Sequence, residues 1–255
     1  MKKICLILCL FLTISVSARE MAGKVVAIEG RAVARNPNRK DRTLSKGSPI
    51  MTGEKIVVGA DSRVQIKFTD DAVLNLIPNS EYEVQNYSYG SKRTANTYLG
   101  EIFKGGFRHL TGKIAKENPE AVTIKGPTVT IGIRGTLIQA VIARGGAMFI
   151  GCEFGMITVV SPKGSISLGP TRKFQYSEIS PQTLSPRGLT NLPASLSSTR
   201  FVPPRGGIPT IAPKPVAPAT PKEGAPSRES TAPAPQAKEP AAPAETNTIK
   251  ISGGC

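Results

Sequence analysis

Apolar and polar residues alternate with a period of two through much of residues 19–180. In the run Arg63-Val-Gln-Ile-Lys-Phe-Thr69, Val64, Ile66 and Phe68 fall on one side of an extended chain. Gln65, Lys67 and Thr69 fall on the other, which is the signature of a half-buried strand. Asp70-Asp71 marks a turn, Leu74 and Leu76 resume the alternation, and Pro78-Asn79-Ser80 marks the next turn before Tyr82 and Val84. Val129, Ile131 and Ile133 share a face further on, followed by apolar runs at Met148–Phe154 and Ile157–Val160, then Ile166 with Leu168. Only Tyr98–Ala115 shows a helical period, and Gly100, Gly105, Gly106 and Gly112 cut it into short pieces. The pattern predicts an all-β domain over residues 19–180. Periodicity alone leaves a sandwich, a barrel and a β-solenoid open.

The two ends read differently. Lys2 and Lys3, the apolar run Ile4–Val16 and the small residues Val16-Ser17-Ala18 form the pattern of a cleaved export signal over residues 1–18. That run is shorter than the roughly 20 residues of a membrane-spanning helix, and no second apolar run reaches that length. Residues 181–255 hold 15 of the 22 prolines, and Pro213–Pro243 is built largely of Pro, Ala, Lys, Glu and Ser. Such a composition buries too little apolar surface to offset the entropy of ordering. A disordered, proline-rich tail with polyproline II character is therefore expected from 181 onward.

Charge narrows the partners. The 255-residue chain carries 33 basic and 18 acidic side chains, a formal charge of +15. Removal of Lys2 and Lys3 with the leader leaves +13. An exported cation of this size meets anionic glycans, lipopolysaccharide and phospholipid head groups, and the equal alternative is that the charge serves only solubility. The leader and the lack of a recognition-helix or aromatic-platform pattern argue against nucleic acid. Cleavage would also leave Cys152 and Cys255 as the only cysteines, with one intramolecular disulfide available to them. The competing reading places Cys152 in an apolar strand as a small buried hydrophobe, with Cys255 a terminal thiol.

Catalytic chemistry finds little footing. His109 is the only histidine, no G-x-S-x-G elbow occurs, and Cys152 has no identifiable base. A surface position on a strand or loop is expected for His109. One histidine and two distant cysteines offer no metal site by spacing, and Asp70-Asp71 reads as turn chemistry. The stretch Gly106-Phe-Arg-His-Leu-Thr-Gly112-Lys113 has one residue too many for a phosphate-binding loop, and Ile114 stands where a hydroxyl is required. The reading is non-enzymatic, with no cofactor.

Several stretches in order resemble the FecR domain family. They are Gly23-Lys-Val-Val-Ala-Ile-Glu-Gly30, Met51-Thr-Gly-Glu-Lys-Ile56, Asp61–Asp70, Leu74-Asn-Leu-Ile-Pro-Asn-Ser80, Thr128-Val-Thr-Ile-Gly-Ile-Arg-Gly-Thr136 and Gly155–Val160. Two departures stand out: Glu54 where the family often has Asp, and Asp71 where it usually has Gly. The resemblance implies a short-stranded, solenoid-like β module working outside the cytoplasm, periplasmic or secreted. Its motif residues Asp70, Pro78, Asn79, Ser80, Ile133, Arg134, Gly135 and Thr136 would be structural, with Arg134 a buried or half-buried staple or, alternatively, a ligand contact. The family's founders place this domain behind an anti-sigma segment and a membrane span, where it relays a signal from an outer-membrane receptor. This sequence opens instead with the apolar leader, so what the resemblance carries over is the module. An envelope protein, such as an outer-membrane receptor, is the implied partner, with an anionic cell-wall glycan or lipopolysaccharide as the alternative.

Overall fold

The computed structural model describes residues 20–92, 94–197 and 203–208. The expected leader, most of the expected tail and Cys255 lie outside the described residues.

Alternating sequence becomes strand wherever a turn residue can end it. Strands β1 (Met21–Glu29), β2 (Ala32–Asn36), β3 (Arg39–Thr43), β4 (Pro49–Met51) and β5 (Lys55–Val58) open the domain. Next come β6 (Arg63–Phe68), β7 (Val73–Leu76), β8 (Glu81–Ser88), β9 (Thr97–Lys104) and β10 (Gly106–Leu110). A five-residue helix α1 (Lys113–Glu117) and a 3-10 turn at Pro119–Ala121 lead into β11 (Val122–Lys125) and β12 (Thr130–Ile142). The domain closes with β13 (Met148–Ser161), β14 (Gly164–Leu168), β15 (Tyr176–Ile179), β16 (Pro186–Leu189) and a single helical turn α2 (Ala194–Ser197).

All sixteen strands join one sheet, curled into a half-barrel. Its main path runs β3-β2-β5-β8-β9-β11-β12-β10-β7-β6-β1-β4, and β13 continues from β12 to carry β14 and β15, with β16 beyond β15. The expected all-β class is what the structure shows. Solenoid coils, however, would stack in parallel, whereas every pairing here is antiparallel except β9 with β11. Tight turns explain the difference, since a connection of a few residues can only reverse the chain. Asp71 makes one such turn with φ of 68°, and Asn79 another with φ of 59°. Asp and Asn are the non-glycine residues that best tolerate this left-handed region.

The concave side is the core. Val64, Ile66, Phe68, Leu74, Leu76, Tyr82, Val84, Phe107, Ile131, Ile133 and Ile157 are all essentially inaccessible and belong to one apolar cluster. The segment read as the sole helical candidate is β9 and β10, hinged at Gly105 with φ of 76°, before helix α1. Apolar residues of β9 and β10 face strands on both sides, and this pairing overrides a weak helical period.

The compositional boundary at residue 180 needs correction. Strand β16 pairs with β15 over Pro186–Leu189, Leu196 of α2 is buried, and residues 203–208 bond to the sheet. Only five of the tail's prolines fall between 181 and 208. One of them, Pro186, occupies the first position of a strand, where a missing N–H is tolerated. Average composition cannot register such specific backbone partners.

Candidate protein-docking edge

Strand β3 lies at one end of the sheet and pairs only with β2 among the described strands. Its sequence, Arg39-Lys-Asp-Arg-Thr43, contains no apolar residue, and all but Arg42 are exposed. One side of its backbone ladder is therefore open, the arrangement that accepts an added strand. Residues 31–46 as a whole hold Arg31, Arg35, Arg39, Lys40, Arg42 and Lys46 against the single acid Asp41.

This edge is firmly anchored. Arg42 Nη2 donates to both carboxylate oxygens of Glu54, at 3.0 and 2.9 Å, and to the Pro49 carbonyl at 2.8 Å. Glu54 also accepts from the Met51 N–H at 3.0 Å and is buried. The Glu54 side chain thus reaches both a turn amide and the edge strand. Arg35 and Asp41 form a half-exposed pair at 3.0 Å across the hairpin. Two grooves flank that pair. One, about 310 Å³, is lined by Arg31, Val33, Thr43 and Val57. The other, about 510 Å³, is lined by Asn36, Pro37, Lys55, Glu81 and Glu83.

The motif residues lie elsewhere, at turns. Asp70 is buried; its carboxylate accepts from Tyr87 Oη at 3.1 Å, the Ala72 N–H at 3.2 Å and the Ile114 N–H at 3.4 Å. Desolvation raises its pKa, and these hydrogen bonds oppose the rise. Its neighbour Asp71 is exposed and held down to about 2 by hydrogen bonds and attraction from Lys113 and Lys67. Pro78 is half-buried and Asn79 exposed. Buried Ser80 donates to the Gly106 carbonyl at 2.8 Å and accepts the Gly106 N–H at 3.0 Å, tying two turns together. Ile133 is in the core, and Gly135 with φ of 55° shapes a bulge opposite Gly155. The Thr136 N–H donates to Thr111 Oγ1 at 2.8 Å. Arg134 corrects its expectation: its side chain is 57% exposed and stands 3.9 Å from Glu120. It follows buried Ile133 on β12 and so falls on the outward face by strand alternation, where it staples nothing buried. These eight residues do not converge on one pocket.

His109 also departs from its expected surface position. It is buried on β10 beside Tyr98 and Phe68, with ring centroids 5.3 and 6.3 Å away. Neither ring nitrogen has a partner among the described residues, and desolvation pushes its pKa down to about 3. A neutral imidazole sealed in an aromatic cage cannot relay protons to solvent. Alternation could have placed it, because His109 lies two residues from Phe107 on the same face. Cys152 is buried as a free thiol whose Sγ donates to the Phe154 carbonyl at 3.3 Å, and burial pushes its pKa up to about 12. No group of three metal-ligating side chains occurs among the described residues.

Fold and edge together define an antiparallel β-sheet module with a charged, open rim. Residues 54–158 match the family described as FecR protein. Two crystal structures of a protein from Parabacteroides distasonis ATCC 8503, provisionally described as an anti-sigma factor, are similar at 14% and 13% identity. Each has a TM-score of 0.41 and aligns over 52% of this chain and 57% of the other. The similarity thus spans little more than half the length of those proteins. No curated protein matches the chain.

Proposed function

We propose that this chain is an exported, non-enzymatic docking module of the bacterial envelope, whose edge strand β3 takes an acidic, extended segment of a protein partner. The carrying observation is the open ladder of β3 under a cluster of six basic residues and one acid. Backbone bonding supplies affinity in strand addition, and side-chain charge supplies selectivity. Like-charged edges repel each other, so the same residues that disfavour pairing between two copies favour an acidic strand. The match of residues 54–158 to the FecR family supports a regulatory protein partner.

The test is crosslinking in living cells of the full-length protein against R39E/K40E, both exposed positions. A discrete envelope protein should crosslink to the unaltered chain and be lost from the variant. Equal capture by both would remove β3 from consideration. The basic hairpin also favours a second reading, in which the ligand is an anionic cell-wall glycan or lipopolysaccharide. In that case the variant should lose sedimentation with isolated sacculi or lipopolysaccharide, and raised salt should abolish it for the unaltered chain.

A further inference from the structure

The side of the sheet facing away from the core carries a row of polar side chains. Strand register sets Gln65 on β6 opposite Asn75 on β7, Asn75 opposite Arg108 on β10, and Arg108 opposite Gln139 on β12. Gln65 and Asn75 are nevertheless 0% and 3% exposed, although they point away from Val64, Ile66, Leu74 and Leu76. Buried amides require partners. One partner is the chain itself, 143 positions later. The Ile208 N–H donates to Gln65 Oε1 at 2.5 Å, and Gln65 Nε2 donates back to the Ile208 carbonyl at 2.6 Å. The second Nε2 hydrogen goes to Asn75 Oδ1 at 2.8 Å, which fixes the orientation of the Gln65 amide. Three residues earlier, the Arg205 N–H donates to Glu29 Oε1 at 2.8 Å, and Pro204 beside it is buried.

Every bond to residues 203–208 reads their backbone. The side chains of Arg205 and Ile208 stay largely exposed. Selectivity comes from shape at Gly207, where an added Cβ would lie 2.8 Å from both Gln65 Oε1 and the Pro204 carbonyl. Further along the row, Arg108 Nε is buried without a partner among the described residues, while its Nη2 holds Glu153 at 2.5 Å.

We propose that Gln65, Asn75 and Glu29 form a peptide-binding site for a Pro-Pro-x-Gly-Gly-x backbone folded in a β-turn at Pro204–Gly207, filled at rest by residues 203–208 acting as a releasable strap. Gln65 presents an acceptor to the N–H and a donor to the carbonyl of one residue, as a neighbouring strand would. Because it uses side chains on a sheet face, the site is independent of the β3 edge and stands whether or not that edge binds a partner.

Trypsin cleavage after Arg205 in the full-length protein, followed by mass spectrometry, tests the strap. Docked residues do not fit a protease cleft, so cleavage there requires local opening. Losing two backbone bonds in Q65A, or inserting a side chain in G207V, should speed cleavage after Arg205 by about tenfold relative to cleavage after Arg187. G207V alters the strap and leaves the sheet intact, so it decides the matter should Q65A fold poorly. Equal Arg205 rates in unaltered protein and G207V would overturn the strap. The exchange site is tested with the capped hexapeptide Pro-Pro-Arg-Gly-Gly-Ile added to full-length G207V. Binding at up to ~2 mM that vanishes in Q65A/G207V is expected, since an untethered segment forgoes the effective concentration of the linked one. No binding by G207V, or equal binding by both variants, would overturn it.

Discussion

Alanine at position 112 should destabilise the protein by about 3 kcal/mol or more, a large share of the roughly 5–15 kcal/mol typical of a domain. Gly112 joins β10 to α1, and a Cβ there would sit 2.3 Å from the Asp70 carbonyl, 2.4 Å from Asp70 Oδ2 and 2.5 Å from the Ala72 nitrogen. None of these atoms can retreat cheaply. The Asp70 carbonyl already accepts the Lys113 N–H at 2.8 Å, and the carboxylate is held by Tyr87 and two backbone amides. Relief would require breaking a buried acceptor's hydrogen bonds. Urea unfolding of G112A beside G47A makes the comparison. Gly47 has φ of 87°, but nothing lies within 4 Å of where its Cβ would sit, so alanine there should cost only about 1 kcal/mol. Equal costs would show that the Asp70 turn yields more readily than its bonding suggests.

Acid should weaken the fold through His109. The imidazole stays neutral in the folded state down to about 3, whereas in the unfolded chain it takes a proton near 6.5. Below that value the unfolded state binds the extra proton, so stability falls as pH drops from about 6.5 toward 3. Between pH 7 and pH 4.5 this amounts to roughly 2–3 kcal/mol. Asp70 acts in the opposite sense. Its folded pKa is raised, so its contribution favours folding at low pH and is lost as pH rises through that value. Asp70 and Glu153, both raised, titrate alike in the unaltered protein and in H109L, so the difference between the two isolates the histidine. In H109L the loss of stability between pH 7 and 4.5 should largely disappear. An unchanged pH slope in H109L would mean the imidazole is hydrated or paired in solution.

Much of this architecture is legible in the residue pattern because each turn is signalled locally. Asp71 and Asn79 can be assigned left-handed turns from residue type alone, and both adopt them. Alternation also sorts Val64, Ile66 and Phe68 from Gln65 correctly. What it misses depends on distant partners. Gln65 reads as a solvated residue because the segment covering it lies 143 positions away. His109 reads as exposed when its polarity is set above its phase with Phe107. The basic cluster at 31–46 is visible as composition, but its position at an open rim depends on strand order, which short-range pattern does not encode. Arg134 shows the converse: its place directly after Ile133 already sets it on the outward face, and reading it as a staple gives its motif more weight than its phase.

The strap also imposes an order of events in time. Its anchors join residues 143 and 176 positions apart, whereas most of the hairpins beneath it connect neighbouring strands. Contacts between nearby residues form first, because closing a long loop costs entropy before it is rewarded. Residues 203–208 can find Gln65 only after β6 and β7 have paired and presented it. Assembly therefore ends at the strap and dismantling begins there, so early proteolytic nicks should fall at Arg205 while the sheet below still resists.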